Sequence, residues 1–544
     1  MKKIEFEYKL PARNIEGRRN GTYNNVELAL PGILTTTDPK LGEFLHTLRT
    51  NIYKGRALVF VDGKMMMCNK NWIRDHVHVM KGMKHFEYDI SKFLDFIIET
   101  QREDGQFYEL IKQMDDEHWK MVDEDCVIMY PEDNLYLARL ELEADIEYLV
   151  VEGAMYTYQV NGDDKWLAKV LPALEKGIDY ITSDKKRWDA EHGLVMRPFT
   201  IDTWDFTNDE PSRFDRRIHD DEKMSIMHGD NSGVYQAMIQ LAWFNRRLGM
   251  EEKAAEWEKR AESLRENIFK YLWNGKFFTH QYHLGHEGID NLESERLSLS
   301  NTYDMNRGLT DLAQSRAIIE EYMTRRETTD KFAEWFTIDP PYEKFLYHVK
   351  GRYVNGAISP FTAGELAKAA FNNGYEEYGW DIITRFMELA ERDKTVYFLY
   401  YPDSTPQPDG GPSTWGASAL MSAVDEGLAG IVDMDVQYKK IAFSPKFPVT
   451  YYTELRYFTG YEKVDARVDV KYILKDNGMR YDIVSPAEEI KAHILLPKGK
   501  SCSELYVNDE KTSFEVETVG ASTYVNADVL TEAGSTVSFE IIFA

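Results

Sequence analysis

The sequence predicts a mainly helical protein: a ring of helical hairpins behind a short β-containing segment, closed by a C-terminal β-sandwich. Three observations predict it. From residue 71 to about 432, apolar residues recur at the spacing of amphipathic helices. The helices come in pairs joined by tight polar turns, and the pairs are separated by long connections. Beyond 432 the apolar period changes to two, as in half-buried strands.

Residues 1–70 mix strand-like stretches (IEFEYKL, NVELAL, ALVFVDG) with one helical stretch, PKLGEFLHTLRTNIY. Within 71–432, stretches such as EADIEYLVVEGAMYTYQV and DKWLAKVLPALEKGIDYIT carry apolar residues every three or four positions. Between these two, Gly162 is suited to end a helix and Asp163 to cap the next. Leu248-Gly249-Met250 and Asn373-Gly374-Tyr375 are breaks of the same kind. The long connections (102–142, 186–229, 271–300 and 326–358) are rich in Asp, Trp, Tyr, Pro and Gly. Loops of that length inside a compact domain are usually functional. Hairpins closing into a ring put the short turns on one face and these loops on the other, which builds a cleft. Residues 433–544 (YYTELRYFTGY, DARVDVKYIL, STVSFEIIFA) alternate apolar and polar residues between turn signals.

Composition removes several classes. The formal charge of −27 opposes binding to nucleic acid phosphates. No apolar run approaches the roughly 20 residues of a membrane span. The opening MKKIEFEYKL lacks the apolar core of a secretory signal. Cys68, Cys126 and Cys502 are too scattered for a zinc site or a disulfide framework, so a cytoplasmic location is expected. His76-Val77-His78 would share one face if strand-borne, but no further ligand lies nearby, and His228 stands apart. No metal and no cofactor are therefore expected; a homo-oligomer is left open. Eleven Trp and 33 Tyr supply flat surfaces on which sugar rings stack.

The most specific tract is Thr200-Ile201-Asp202-Thr203-Trp204-Asp205-Phe206. Two carboxylates flank a Trp inside a long connection. An apolar neighbour raises a carboxyl pKa, as a general acid at neutral pH requires. A second tract, Asn71-Trp72-Ile73-Arg74-Asp75-His76, offers donors and acceptors to adjacent hydroxyls, or forms an ordinary ion pair. A third, Met227-His228-Gly229-Asp230-Asn231, opens a helix that Asp230 is placed to cap. Glu143 and Asp145 stand where a long loop enters a helix.

These tracts resemble those of the six-hairpin, or (α/α)6-barrel, glycosidases: trehalases, glucoamylases, processing α-glucosidases and α-L-rhamnosidases. Trp204-Asp205-Phe206 is similar to the Gly-Trp-Asp-Phe tract of trehalases, which implies Asp205 as general acid, although Thr203 replaces the Gly. Trp72-Ile73-Arg74-Asp75 resembles the Trp-x-Arg-Asp tract that grips the terminal sugar in glucoamylase-like barrels. The resemblance implies that Asp230 and Asn231 line the same sugar site. Asp202, Trp204, Trp335 and Trp415 are further candidates for binding it. Gly411-Pro412-Ser413-Thr414-Trp415 is similar to the opening of the final barrel helices in this group. The catalytic base of trehalase-like relatives is a Glu just upstream, where this sequence has Phe398. An inverting hydrolase needs a second carboxylate to activate water. Glu334, beside Trp335, and Asp403, beside Pro402, are the candidates for that base.

The expected activity is exo-acting, inverting hydrolysis of an oligosaccharide or glycoside. The alternatives are an inverting disaccharide phosphorylase, in which phosphate replaces the base, and a non-catalytic glycan-binding protein. A polysaccharide lyase is disfavoured by the acidity of the loops.

Overall fold

The computed structural model describes residues 36–202, 204, 215–285, 293–343, 345–346 and 348–544. Twelve α-helices run through the described chain: α1 (Pro39–Lys54), α2 (Ile73–Met83), α3 (Lys92–Glu99), α4 (Ile146–Asn161), α5 (Asp164–Ile181), α6 (His228–Arg247), α7 (Glu251–Leu272), α8 (Ser300–Asn306), α9 (Leu312–Thr328), α10 (Pro360–Asn372), α11 (Glu376–Asp393) and α12 (Thr414–Ser422). The expected short turns are present. Gly162 ends α4 in the left-handed conformation at φ 61°, and Asp163 caps α5 by accepting from the N–H groups of Lys165 and Trp166.

Helix contacts follow a cycle. α2 touches α4, α4 touches α6, α6 touches α8, α8 touches α10, α10 touches α12, and α12 returns to α2. The odd-numbered helices pack outside them. α5 and α7 bury one stripe each, Leu167, Val170, Leu171, Leu174 and Ile178 on the first and Ala254, Trp257, Ala261, Leu264 and Ile268 on the second. By contrast, α4 is buried on every side from Ile146 to Ala154, as an inner helix must be. Gly364 of α10 permits close approach there: a Cβ would lie 2.5 Å from the Ala419 carbonyl carbon of α12. The helix α1, read from the sequence with the N-terminal segment, packs on α12, α11 and α2.

Connection length alternates strictly. Turns of a few residues follow α4, α6 and α10, whereas the stretches entering α2, α4, α6, α8, α10 and α12 are long. Those long stretches carry more strand than expected. Strands at Leu110–Gln113, Val127–Tyr130 and Leu135–Ala138 form one antiparallel sheet. Strands at Leu194–Pro198, Met224–Met227 and Gln281–His283 belong to another. The backbone groups of these long loops are thereby paired rather than left to water.

Two larger sheets occupy the C-terminal part. One has five strands and includes a parallel pairing of Lys440–Phe443 with Glu489–Leu495; the other has six. Phe443 of the first meets Tyr481 and Phe539 of the second, so the sheets face each other across an aromatic core. No helix among the described residues is long and apolar enough to cross a membrane.

Candidate active site

The N-terminal ends of α2, α8, α10 and α12 converge on one cavity of about 280 Å³, lined by Trp72, Arg74, Asp75, Trp204, Leu299, Tyr353, Phe361, Phe398 and Trp415 among others. It opens into an outer chamber of about 1060 Å³ that shares Lys70, Trp72, Gly410 and Pro412 with it. Helix N-termini carry partial positive charge and favour carboxylates. That is where the acidic residues gather: Asp75 in the first turn of α2, Asp145 before α4 and Asp230 in the first turn of α6.

Beneath the cavity lies a buried ionic cluster. The Arg74 guanidinium donates from Nη2 to Asp145 Oδ1 at 2.9 Å and also to Glu143. Arg139, with no exposed surface, bonds Glu109 and Glu147 at 3.1 Å each. Arg197 stands 3.8 Å from Glu143 and 3.6 Å from Asp230. Carboxylates outnumber guanidiniums here, and burial decides their protonation. Burial pushes Glu143 well above the usual carboxylate range and Glu109 up to about 7, against the pull of the arginines. Burial raises Asp145 too, but the attraction and hydrogen bonds of Arg74, with Arg197 and Arg139 adding to them, hold it below the usual carboxylate range. Asp230 is pushed up to about 6 by burial, with Arg197 pulling the other way.

The structure brings together Trp72, Arg74, Asp75, Trp204 and Trp415 at the cavity wall. Arg74 does not pair with Asp75, however; its guanidinium is turned toward Glu143 and Asp145. Trp415 is covered on both faces, by His78 at 4.0 Å and by Phe361 at 4.9 Å, and donates to the Tyr303 hydroxyl at 2.8 Å. It therefore presents an edge, not a stacking face. Trp204 sits tilted over Tyr353 at 4.9 Å, and Arg197 holds its carbonyl.

Other candidates have different work. Asp202, at φ 50°, accepts from the N–H and hydroxyl of Ser300, while its own N–H donates to His280 Nε2 at 2.9 Å. It anchors the loop carrying Trp204 and does not line the cavity. Asn231 is used up by the neighbouring strand: it accepts from Val195 N–H at 2.8 Å and donates to the carbonyls of Val195 and Met227. Asp230 caps nothing; neither of its buried carboxylate oxygens has a hydrogen bond among the described residues. Glu334 is fully buried and clamped by Arg385, at 2.8 and 2.9 Å, and by the Tyr378 hydroxyl at 2.6 Å. Trp335 is equally buried, stacked on Phe386 at 4.7 Å. Asp403 is exposed and accepts from Thr405 N–H in its own turn. None of Glu334, Trp335 and Asp403 lines the cavity. Asp205 lies outside the described residues. His76 and His78 are on helix α2, not on a strand, so two positions apart they point to different sides.

Phe398 does line the cavity, 5.4 Å from Phe361 and 6.1 Å from Trp204. A Cβ on Gly410, at φ 79°, would strike its ring at 2.7 Å, so this residue must be glycine for the loop to close on Phe398. Tyr353, Phe361 and Lys70 are further wall residues, and no short tract marks Phe361 or Lys70 in the sequence.

A cleft walled by aromatic side chains and floored by carboxylates at the entering ends of paired helices, with a β-region behind, is that of the six-hairpin glycosidases. Residues 69–413 match the model described as the mannosylglycerate hydrolase MGH1-like glycoside hydrolase domain. The chain belongs to that family. Comparison with curated proteins by sequence gives no match. Among solved structures it is similar to an α-L-rhamnosidase from Dictyoglumus thermophilum, at 13% identity and TM-score 0.61, over 93% of this chain and 49% of that one. It is also similar to the GH78 rhamnosidase of Bacillus sp. GL1 (15% identity, TM-score 0.55, 86% of this chain, 43% of that one). A third is the Streptomyces avermitilis α-L-rhamnosidase complexed with L-rhamnose (14% identity, TM-score 0.55, 93% and 41%). The chain spans half or less of the length of these three proteins. At such identities the likeness is one of fold.

Proposed function

We propose that this protein is an exo-acting, inverting glycoside hydrolase built on an (α/α)6 toroid over residues 71–432, with a β-sandwich over 433–544. The cyclic order of helix contacts supports the toroid. The observation that carries the activity is the narrow cavity of about 280 Å³, with Asp75, Trp72 and Trp204 in its wall and a buried ionic floor. A cavity of that size fits one terminal sugar ring and not a chain passing through, which is the geometry of exo action.

Asp205, adjoining Trp204, is the general acid in this reading. Its proton passes to the glycosidic oxygen as the bond to the anomeric carbon breaks. The base is assigned to Asp75, the described carboxylate in the narrow cavity. Asp75 lines that cavity from the first turn of α2, while Arg74 is held by Glu143 and Asp145. Water held by Asp75 attacks the anomeric carbon from the face opposite the leaving group, and the proton it loses goes to Asp75. Phe398 in the cavity wall favours a second reading, phosphorolysis, because no carboxylate stands at that position.

The test is a panel of oligosaccharides and aryl glycosides, each with and without inorganic phosphate, with NMR of the first-formed anomer. Phosphate-independent release of a single sugar of inverted configuration, lost in Asp205→Asn and Asp75→Asn, supports the assignment. Release that requires phosphate selects phosphorolysis. Full turnover by Asp205→Asn removes the acid assignment.

A further inference from the structure

The outer chamber differs from the cavity it leads into in size and in charge. It encloses about 1060 Å³ against about 280 Å³. That is the size of a site for a ligand of several rings, not for a small leaving group. Lys70, Trp72, Gly410 and Pro412 belong to both walls, so the two spaces adjoin.

On a chain of net charge −27, this chamber is ringed by Lys54, Lys70 and Lys112, against Asp115 and Asp116. Lys112 is already engaged: it bonds Asp116 at 2.8 Å and rests over the Trp72 ring at 4.8 Å. Lys54 and Lys70 form no ion pair among the described residues. Lys54 also complements the C-terminal end of α1, where a cation is favoured. No such helix end accounts for Lys70, which projects from a left-handed residue at φ 63° whose N–H is tied to the Gly55 carbonyl at 3.1 Å. Gly410 and Gly411, at φ 79° and 57°, complete the wall, and their N–H groups have no acceptor among the described residues. A Cβ on Gly411 would meet nothing within 4 Å, so the backbone there is open to a ligand.

We propose that the outer chamber is a leaving-group subsite for acidic oligosaccharides, whose carboxylate or sulfate groups pair with Lys54 and Lys70 while a sugar ring lies against Trp72. This rests on the glycosidase reading, and it adds the class of substrate. A neutral chain would leave both ammonium groups without counter-charge, and a small acid would leave most of the chamber filled with water. Paired ammonium–carboxylate hydrogen bonds are among the stronger polar contacts a glycan can make.

Calorimetric titration of the full chain tests it with trigalacturonate, maltotriose, galacturonate and inorganic phosphate, on wild type, Lys54→Ala/Lys70→Ala and Lys54→Arg/Lys70→Arg. Expected is binding of trigalacturonate that weakens at least tenfold in the alanine variant and less than threefold in the arginine variant. Maltotriose, which carries no charge, should lose less than threefold in the same variants, the small loss reflecting Lys70 as a wall residue of the narrow cavity as well. Equal affinity for maltotriose and trigalacturonate on wild type would overturn the proposal, as would an alanine variant that binds like wild type. Galacturonate or phosphate binding as tightly as the trimer would make this a small-anion site and overturn it too. Failure of the parent reading shows separately: there, no glycoside in the panel is turned over by wild type, whatever the lysines do. Turnover restricted to neutral glycosides and indifferent to the lysines leaves the parent reading standing and removes this one.

Discussion

Replacing Arg74 with Met removes the single cation that two buried carboxylates share. The guanidinium is mostly enclosed and binds Asp145 through two nitrogens and Glu143 through one. Breaking a buried pair by deleting one partner costs about 3–5 kcal/mol, mainly from the charge left behind. Arg197 remains 3.8 Å from Glu143 and offsets part of that, so a loss of about 4 kcal/mol is expected near neutral pH. The pH dependence identifies the cause. In the wild type Arg74 holds Asp145 below its ordinary pKa. That contribution is present above the unfolded carboxylate pKa and lost as pH falls through the folded one. In the variant Asp145 loses its partner and burial raises it, so it binds its proton more tightly folded than unfolded, as Glu143 already does in the wild type. The deficit must then shrink as pH falls from 7 toward 5. Urea unfolding, followed by tryptophan fluorescence and far-UV circular dichroism at pH 5, 6, 7 and 8, measures this without adding salt. The triple variant Arg74→Met/Glu143→Gln/Asp145→Asn should regain most of the loss. A deficit of the same size at pH 5 and pH 8, or no deficit at all, would refute the reasoning.

Three further outcomes are expected. Glu334→Gln should lower stability by about 2–3 kcal/mol, because Arg385 and Tyr378 lose a charged partner, and leave kcat within about twofold; a thousandfold loss of kcat in a folded variant would return Glu334 to the catalytic candidates. Asp425, buried where the Tyr457 hydroxyl donates to it, has a pKa raised to about 7 by that burial. Its contribution is present below the ordinary carboxylate pKa and is lost as pH climbs to about 7, so Asp425→Asn should flatten the stability profile between pH 5 and 7; an unchanged slope would count against it. Conversion of Asp75 to Asn should cut turnover at least a hundredfold with substrate affinity held within about fivefold, checked by kcat and KM on one cleaved glycoside.

Much of the fold was legible before any coordinates. The 3.6-residue period fixes α4 to α7 as helices, Gly162 and Asp163 mark the turn between two of them, and the change to period two places the C-terminal strands. The strands inside the long connections were not legible. They are a few residues each, and several pair with segments far along the chain, as Met196 does with Ile226. The candidate site was legible in its tracts and less so in its roles. Trp72, Arg74, Asp75, Trp204 and Trp415 do gather at one cavity. Glu334 and Trp335 have the same composition as a cleft tract, an acid beside an indole, yet pack against α11 through Arg385 and Phe386. Nothing local separates the two cases, because Arg385 lies 51 positions away.

What the sequence determined by itself was the alternation of helix and connection, the positions of the helix starts and the kinds of side chain at them. Those depend on periodicity, capping and backbone preference, which act over a few residues. The tertiary structure alone decided which charges are neighbours. Arg74 is next to Asp75 in the chain and binds Glu143 and Asp145 instead, 69 and 71 positions on. Burial and long-range pairing set the protonation of that floor.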